Sequence, residues 1–222
     1  MATAQETAAI VRDQIFPTYP SLRVEVGADF VFVRGFLPIM DAGNVIDRFE
    51  VEIAIPPRYP TFPPKVKEVG GRVPRNKDFH CNDDGTLCLM VEEEYWIDGW
   101  SSKTFLNFLD GPVRSFFLYQ LAVAEGVPWP HGDRPHGGAG VAAFYRERFG
   151  IATIGDAIRC LELTLIREMK GHHPCMCGNG VKIRNCAAEC RRLIKEVKEG
   201  VPEEVVKRSI EHLRKEALNP QR

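Results

Sequence analysis

The residues best suited to covalent chemistry lie in the stretch 79–89, which reads Phe-His-Cys-Asn-Asp-Asp-Gly-Thr-Leu-Cys-Leu. A thiolate is a good nucleophile and a good leaving group, so Cys88 is suited to relay an acyl group. The side-chain amide of Asn82 can donate a hydrogen bond to the oxyanion that forms during acyl transfer. The turn at 83–85 lets the chain fold back and bring Asn82 near Cys88. His80 can hold this turn through hydrogen bonds to the backbone.

The alternative for Cys88 is a structural role. It lies between Leu87 and Leu89, and most free cysteines behave as small buried hydrophobic residues. A reactive thiol must instead reach solvent and have a lowered pKa. The spacing within this stretch leaves both roles open, because short motifs produce many false matches.

A second group of chemistry-bearing residues lies near the C-terminus, where a Cys-x-Cys pair is followed by a Cys-x-x-x-Cys pair. Residues four apart share one face of a helix, so the second pair can direct both thiols to one point. Four thiolates at tetrahedral range are ligands for structural zinc. The sequence therefore predicts a structural zinc ion bound by Cys175, Cys177, Cys186 and Cys190.

Composition and charge limit the class of protein. The chain has 222 residues, a net charge of −1 and 44% hydrophobic residues, so we expect a globular domain with an appendage. The overall charge gives no support to nucleic-acid binding. Seven cysteines, four of them within 175–190, favour metal binding and catalysis in a cytoplasmic protein over disulfides. We expect no membrane association, because no apolar run approaches about 18 residues and the N-terminus lacks the features of a signal peptide.

The pattern of apolar residues predicts the elements that position Cys88. Helical spacing over residues 4–16 ends at Pro17. Period-two alternation then predicts four strands, which are Leu22–Val26, Phe30–Val33 with Phe36, Val45–Ile55 and Val66–Val69. One helix followed by an antiparallel meander predicts an α+β domain.

The second half of the chain reads as helices. An apolar stripe from Phe105 to Leu121 predicts a helix with Ser101 or Ser102 as its N-cap. Four more helices are predicted at 141–149, 151–169, 187–199 and 202–217.

A long Gly/Pro-rich loop at 127–140 precedes the helix predicted at 141–149. Loops of this length inside a domain are often functional, and His131 and His136 could border the active site or hold a metal. The alternative is a simple crossing loop.

The order of motifs around Cys88 resembles that of the ubiquitin-conjugating enzyme family (UBC-like fold). The motifs follow one another in the order proline-rich segment, His-x-Asn triplet, Gly-x-Leu-Cys-Leu segment and tryptophan. The resemblance covers roughly residues 5–150. The residues that carry it are Tyr59, Pro60, Pro63, Pro64, Val66, His80, Asn82, Gly85, Leu87, Cys88, Leu89 and Trp96. The resemblance implies that Cys88 accepts the C-terminus of a ubiquitin-like protein as a thioester. It also implies that Asn82 supports attack on that thioester by a target lysine.

Two departures make the segment similar to bacterial members of the fold. Cys81 stands where the family has proline, and the interval from His80 to Cys88 is shortened. Bacterial members occur in anti-phage signalling operons, so the resemblance implies a role in antiviral defence. The implied partners are a ubiquitin-like modifier or a cGAS/DncV-like nucleotidyltransferase as the carried protein, an adenylating activating enzyme, and protein lysine targets.

The C-terminal cysteines resemble the SEC-C zinc motif through Cys-x-Cys-Gly-x-Gly-x-Lys-x-x-x-Cys. That motif has Cys or His directly after its third cysteine, where this chain has Ala187. Cys190 can supply the fourth ligand instead, with His172 and His173 as rivals.

These observations predict a UBC-like catalytic domain at residues 1–150 and a helical appendage at 151–222 with a zinc knuckle at 171–190. The predicted function is transfer of a ubiquitin-like or tail-activated protein through a Cys88 thioester to a lysine amine. Two alternatives stay open. One is an inactive UBC-like module that only binds a partner, and the other is a thiol hydrolase in which a histidine near Cys88 acts as the base.

Overall fold

The computed structural model describes residues 2–128, 135–175, 180–186 and 188–219. Its strands are β1 (Leu22–Val26), β2 (Val31–Asp41), β3 (Asn44–Ile55) and β4 (Lys65–Glu68). Its α-helices are α1 (Ala4–Ile15), α2 (Glu94–Ile97), α3 (Phe105–Phe108), α4 (Arg114–Ala124), α5 (Gly137–Phe149), α6 (Ile154–Thr164), α7 (Ala188–Gly200) and α8 (Glu203–Leu218). Within the described residues, no helix combines the length and the apolar character needed to cross a membrane.

The chain divides by packing into two compact units. The N-terminal unit consists of Met1–Met90 and Gly99–Asp133, and the C-terminal unit of Val91–Asp98 and Arg134–Arg222. The segment Val91–Asp98 therefore groups with the C-terminal helices, although the chain on both sides of it belongs to the N-terminal unit. The predicted boundary at residue 150 stays a prediction, since packing alone does not define where a catalytic domain ends.

The N-terminal unit is built on one antiparallel sheet with the strand order β1-β2-β3-β4. This confirms the predicted α+β class with a four-stranded antiparallel meander. Alternate residues of β2 are buried, as expected for a sheet with one face against the core, and they are Val31, Val33, Leu37 and Ile39. Helix α1 packs on β1 and β2.

Strand β2 runs further than the sequence predicts, through Pro38 to Asp41. Strand β1 pairs with β2 only as far as Gly35, so at Pro38 one edge of β2 has no neighbouring strand among the described residues. Proline is tolerated at such an edge, because the missing N–H breaks no ladder hydrogen bond there.

The predicted N-cap at Ser101 or Ser102 is wrong. Both residues lie in a 3-10 turn, and the hydroxyl of Ser102 donates to the carbonyl of Gly99 at 2.8 Å. The cap is Thr104, whose hydroxyl accepts from the backbone N–H of Asn107 at 3.1 Å. The side chain of Asn107 completes a capping box. The sequence signature of a capping box has Glu or Gln at that position, so it does not identify this one.

The C-terminal unit is a helical assembly in which α8 packs against α5 and α6. The contact of α5 with α8 is close at Gly138, where an added Cβ would lie 2.4 Å from the carbonyl oxygen of His212. Helix α6 ends at Thr164, earlier than the predicted Met169. The ammonium group of Lys198 donates to the carbonyls of Thr164 and Ile166, which satisfies groups that a longer helix would use internally.

Glu93 is a fully buried acid within the C-terminal unit. Its Oε1 accepts from the hydroxyl of Tyr145 at 3.2 Å, and its side chain also bonds to that of Ser209. Its Oε2 has no partner among the described residues. Burial raises the pKa of Glu93 although both hydrogen bonds favour the charged form. The buried site therefore favours a neutral carboxyl group.

We predict that Glu93→Gln stabilises the protein above the pH at which an unfolded glutamate ionises. The pKa of Glu93 is raised above 4.5 in the folded protein. Between the unfolded and the folded pKa, unfolding therefore releases a proton, and the stability of the wild type falls as the pH rises. The variant should match the wild type at about pH 4 and melt a few degrees higher at about pH 8. Thermal unfolding followed by circular dichroism measures both, with the exposed Glu199→Gln as the control. A variant that is equally destabilised at both pH values would contradict the assignment.

Candidate functional site

Residues 80–88 form a short β-hairpin. The backbone N–H of Cys88 donates to the carbonyl of His80 at 2.8 Å, and that of Asn82 donates to the carbonyl of Thr86 at 2.9 Å. These two bonds flank the antiparallel pair of Cys81 and Leu87. The sequence-predicted fold-back is therefore present, with a defined register.

Two contacts hold the hairpin in place on the N-terminal unit, and a glycine closes its turn. The backbone N–H of Leu87 donates to the carbonyl of Val66 at 2.8 Å, so the second limb of the hairpin continues the sheet beyond β4. The buried side chain of Gln120 donates to the carbonyl of Phe79 at 2.7 Å and holds the first limb. Gly85 closes the turn at φ +81°, a conformation that favours glycine.

The register decides which of the two cysteines is buried. Opposite residues of an antiparallel pair share a face, and successive residues alternate between faces. Cys81 and Leu87 face the interior and are 3% and 7% exposed. Burial raises the pKa of Cys81, although the nearby Arg75 opposes this. Cys88 is partly exposed. Of the two cysteines of the hairpin, Cys88 is thus the more exposed residue, and a nucleophile requires exposure.

His80 lies beside the Cys88 thiol. It has the left-handed backbone conformation with φ 51°, and its N–H donates to the carbonyl of Lys77 at 2.9 Å. The carbonyl of His80 also accepts from Cys88, so its main chain takes part in closing the hairpin, and the predicted role of the histidine itself stays a prediction. A ring nitrogen of His80 also lies within 4.8 Å of the Cys88 sulfur. Sequence reasoning did not assign this neighbour to Cys88, because it depends on the hairpin register and on a positive φ that no local motif predicts.

Asn82 is exposed, and it lies opposite Thr86 on the hairpin. Cys88 is two residues beyond Thr86, so Asn82 and Cys88 are diagonal neighbours, with roughly 7–8 Å expected between such positions. The amide nitrogen of Asn82 donates to the hydroxyl of Thr86 at 3.0 Å. The structure thus brings Asn82 to the same hairpin as Cys88, with its amide held by a neighbour.

The three glutamates after the cysteine all have places in the C-terminal unit. Glu92 forms a bidentate ion pair with Arg208, in which Arg208 Nη2 and Nε donate to the carboxylate at 2.6 and 3.0 Å. Glu93 is buried, and Glu94 accepts from the backbone N–H of Val91 at 2.7 Å. The segment that follows the Cys88 hairpin is therefore fixed by charge pairing and by burial.

The C-terminal unit brings together three of the four predicted metal ligands. The sulfur atoms of Cys175, Cys186 and Cys190 lie within 4.8 Å of one another, and those of Cys175 and Cys186 are 3.0 Å apart. A tetrahedral ion with bonds of about 2.3 Å to sulfur places its ligands roughly 3.8 Å apart. The one separation of 3.0 Å is shorter than that value and the other two are at most 4.8 Å, so a small adjustment of the side chains would let the three thiols hold a metal ion.

Local backbone structure creates this convergence. The N–H of Cys175 donates to the carbonyl of Val181 at 2.8 Å, next to the bridge between Pro174 and Lys182. A 3-10 turn then ends at Cys186, and Cys190 lies near the start of α7. The predicted ligand Cys177 lies outside the described residues.

Burial and neighbouring sulfurs raise the pKa of two cysteines at this cluster, Cys190 and Cys160. Burial, and then a hydrogen bond with Cys186, raise the pKa of Cys190. Cys160 is completely buried on α6, and its pKa is raised by burial and then by the sulfurs of Cys190 and Cys175. A bound metal ion must therefore displace thiol protons, and Cys160 is a further buried sulfur near the cluster.

The predicted histidine ligands do not join this cluster in the described residues. The rings of His172 and His173 pack edge to face, with centroids 4.9 Å apart, and neither belongs to the group of three thiols.

Of the two histidines of the Gly/Pro-rich loop, His131 lies outside the described residues. His136 precedes the first turn of α5 as its N-cap residue.

Comparisons of the chain with protein-family models, with curated proteins and with solved structures find no match. The motifs of the chain and the geometry of its two cysteine sites are therefore the features that bear on its function.

We predict that purified protein contains about one metal ion per chain, and that Cys186→Ser loses it, because a hydroxyl is a poor substitute for a buried thiolate ligand. Elemental analysis after anaerobic purification measures this, and Cys81→Ser, which changes a cysteine of the other unit, should keep the metal. Equal metal content in wild type and Cys186→Ser would contradict the site.

Proposed function

We propose that the chain is a cysteine acyltransferase of the ubiquitin-conjugating type, with Cys88 as the acyl carrier. The observation that supports this most is the register of the hairpin. It leaves Cys88 partly exposed, places Asn82 diagonally across from it and buries Cys81 on the other face. A structural cysteine would be expected on the buried face instead.

The reaction has two steps at Cys88. The thiolate attacks the carbonyl carbon of an incoming thioester, a new C–S bond forms, and the donor thiolate leaves. A lysine amine then attacks the Cys88 thioester, the C–N bond forms, and the C–S bond breaks to release the Cys88 thiolate. The ammonium proton passes to solvent. An N–H of Asn82 donates to the oxyanion of the second step.

The resemblance supplies the substrates of this proposal. The carried protein is a ubiquitin-like modifier or a cGAS/DncV-like nucleotidyltransferase, an adenylating enzyme activates its C-terminus, and protein lysines receive it. The setting that the resemblance implies is a bacterial, cytoplasmic defence system.

We further propose that the metal of the C-terminal cluster is structural zinc. Three converging thiols form a soft donor set that suits zinc, whereas calcium and magnesium bind oxygen ligands. Cys177 is the proposed fourth ligand. The zinc would hold Cys175 and the end of the 3-10 turn at Cys186 against the start of α7.

A second function is favoured by one observation. A ring nitrogen of His80 lies within 4.8 Å of the Cys88 sulfur, and a base can act on a thiol directly or through one water. If the imidazole activates water, the Cys88 thioester is hydrolysed, and the protein is a thiol hydrolase. The two functions differ in whether an amine or water accepts the acyl group.

We predict that Cys88 takes up the acyl group of a small thioester and passes it to an amine. The probe is the mercaptoethanesulfonate thioester of acetyl-glycyl-glycine, with Nα-acetyl-lysine as the acceptor. Wild type and Cys81→Ser should form the amide at similar rates, and Cys88→Ala should fall to the rate of the free thioester. Intact-protein mass spectrometry and chromatography of the products measure the adduct and the amide.

The same assay separates the alternatives. Release of acetyl-glycyl-glycine at a rate independent of the amine, and lost in His80→Gln, would establish the hydrolase instead. Identical behaviour of wild type and Cys88→Ala would contradict both enzymes and leave a module that binds a partner.

A further inference from the structure

The exposed amide of Asn82 is held by the hydroxyl group of a second residue on the same hairpin. Asn82 Nδ2 donates to Thr86 Oγ1 at 3.0 Å. The same two residues are also joined through the backbone, by the bond from Asn82 N to Thr86 O. An exposed carboxamide without such a partner rotates freely in water, and a freely rotating donor cannot be preorganised for an oxyanion.

A carboxylate fixes the direction of that hydroxyl. Thr86 Oγ1 donates to Asp84 Oδ1 at 2.6 Å, and the backbone N–H of Thr86 donates to the same oxygen at 2.9 Å. The hydroxyl has a single hydrogen, so once it is given to Asp84 only lone pairs face Asn82. These bonds also lower the pKa of Asp84, which keeps the acceptor charged near neutral pH.

We propose that Thr86, oriented by Asp84, is a positioning residue that presents the amide of Asn82 to the Cys88 thioester during attack by the amine. This inference rests on the proposed function. One N–H of Asn82 is bonded to Thr86, and the other has no partner among the described residues. The second N–H is therefore the donor for the oxyanion, and its direction is set by the bond that the first one makes.

A simpler role for the same bonds is to fold the turn. That role predicts that a change at Thr86 harms the hairpin whether or not Asn82 is present. The positioning role predicts that a change at Thr86 has no effect once the amide of Asn82 is gone. A double-mutant cycle between the two residues distinguishes the two roles.

The experiment measures discharge of a preformed Cys88 acetyl-glycyl-glycyl thioester to Nα-acetyl-lysine, in parallel with the rate of charging. Asn82→Ala should slow discharge by on the order of a hundredfold, the scale for one oxyanion donor. Thr86→Val keeps the shape of the side chain but removes the hydroxyl, and should slow discharge by about tenfold. Thr86→Ser should discharge at nearly the wild-type rate. The variant that combines Asn82→Ala with Thr86→Val should be no slower than Asn82→Ala.

Asp84 provides a second pair of variants if Thr86→Val fails to fold. Asp84→Asn keeps an oxygen that can accept from Thr86 and should discharge at nearly the wild-type rate. Asp84→Ala removes the acceptor and should slow discharge severalfold in the presence of Asn82 but not in the Asn82→Ala background. Charging should be unchanged in every variant.

Each contrary result has one meaning. Normal discharge in Thr86→Val and Asp84→Ala, with slow discharge in Asn82→Ala, would overturn the inference and leave the proposed function standing. Slowing by Thr86→Val that persists in the Asn82→Ala background would also overturn it, in favour of turn folding. No adduct on wild-type Cys88, or no slowing in Asn82→Ala, would contradict the proposed function itself.

Discussion

The antiparallel register of the hairpin at 80–88 is the constraint on which the candidate site depends. Because side chains of a strand alternate with period two, a slip of one residue would exchange the buried and the exposed positions. In the observed register Cys81 is buried and Cys88 reaches solvent. The same register sets Asn82 opposite Thr86, which turns a short loop into a site with a thiol and a fixed amide.

The hairpin and the segment that follows it in the sequence are held in different units of the chain. The N-terminal unit fixes the hairpin through backbone bonds to the β4 edge and through the buried amide of Gln120. The C-terminal unit includes the segment that follows it, through the buried Glu93 and the ion pair of Glu92 with Arg208. The same unit contains the cluster of three thiols, so the candidate metal site and the segment after Cys88 belong to one folded unit.

Patterns that repeat along the chain allowed much of the fold and part of the site to be predicted. Alternation of apolar residues predicts the four strands, and cysteine spacing predicts the convergence of Cys175, Cys186 and Cys190. Features that depend on single side-chain bonds were missed. The cap at Thr104 depends on a local side-chain bond, and the end of α6 at Thr164 on a tertiary bond from Lys198. The spacing of apolar residues does not predict either bond. The bond from Asn82 to Thr86 needs the register, which the residue types alone do not fix.

The most direct test of the central claim is to locate the acyl group on the wild-type protein. Metal-loaded protein is treated briefly with the acetyl-glycyl-glycine thioester and digested with pepsin at acidic pH, which preserves thioesters, and the peptides are sequenced by tandem mass spectrometry. The account predicts that the added mass lies on Cys88 and not on Cys81, because the register exposes only the first of these thiols. Acylation of Cys81, or equal labelling of both cysteines, would contradict it.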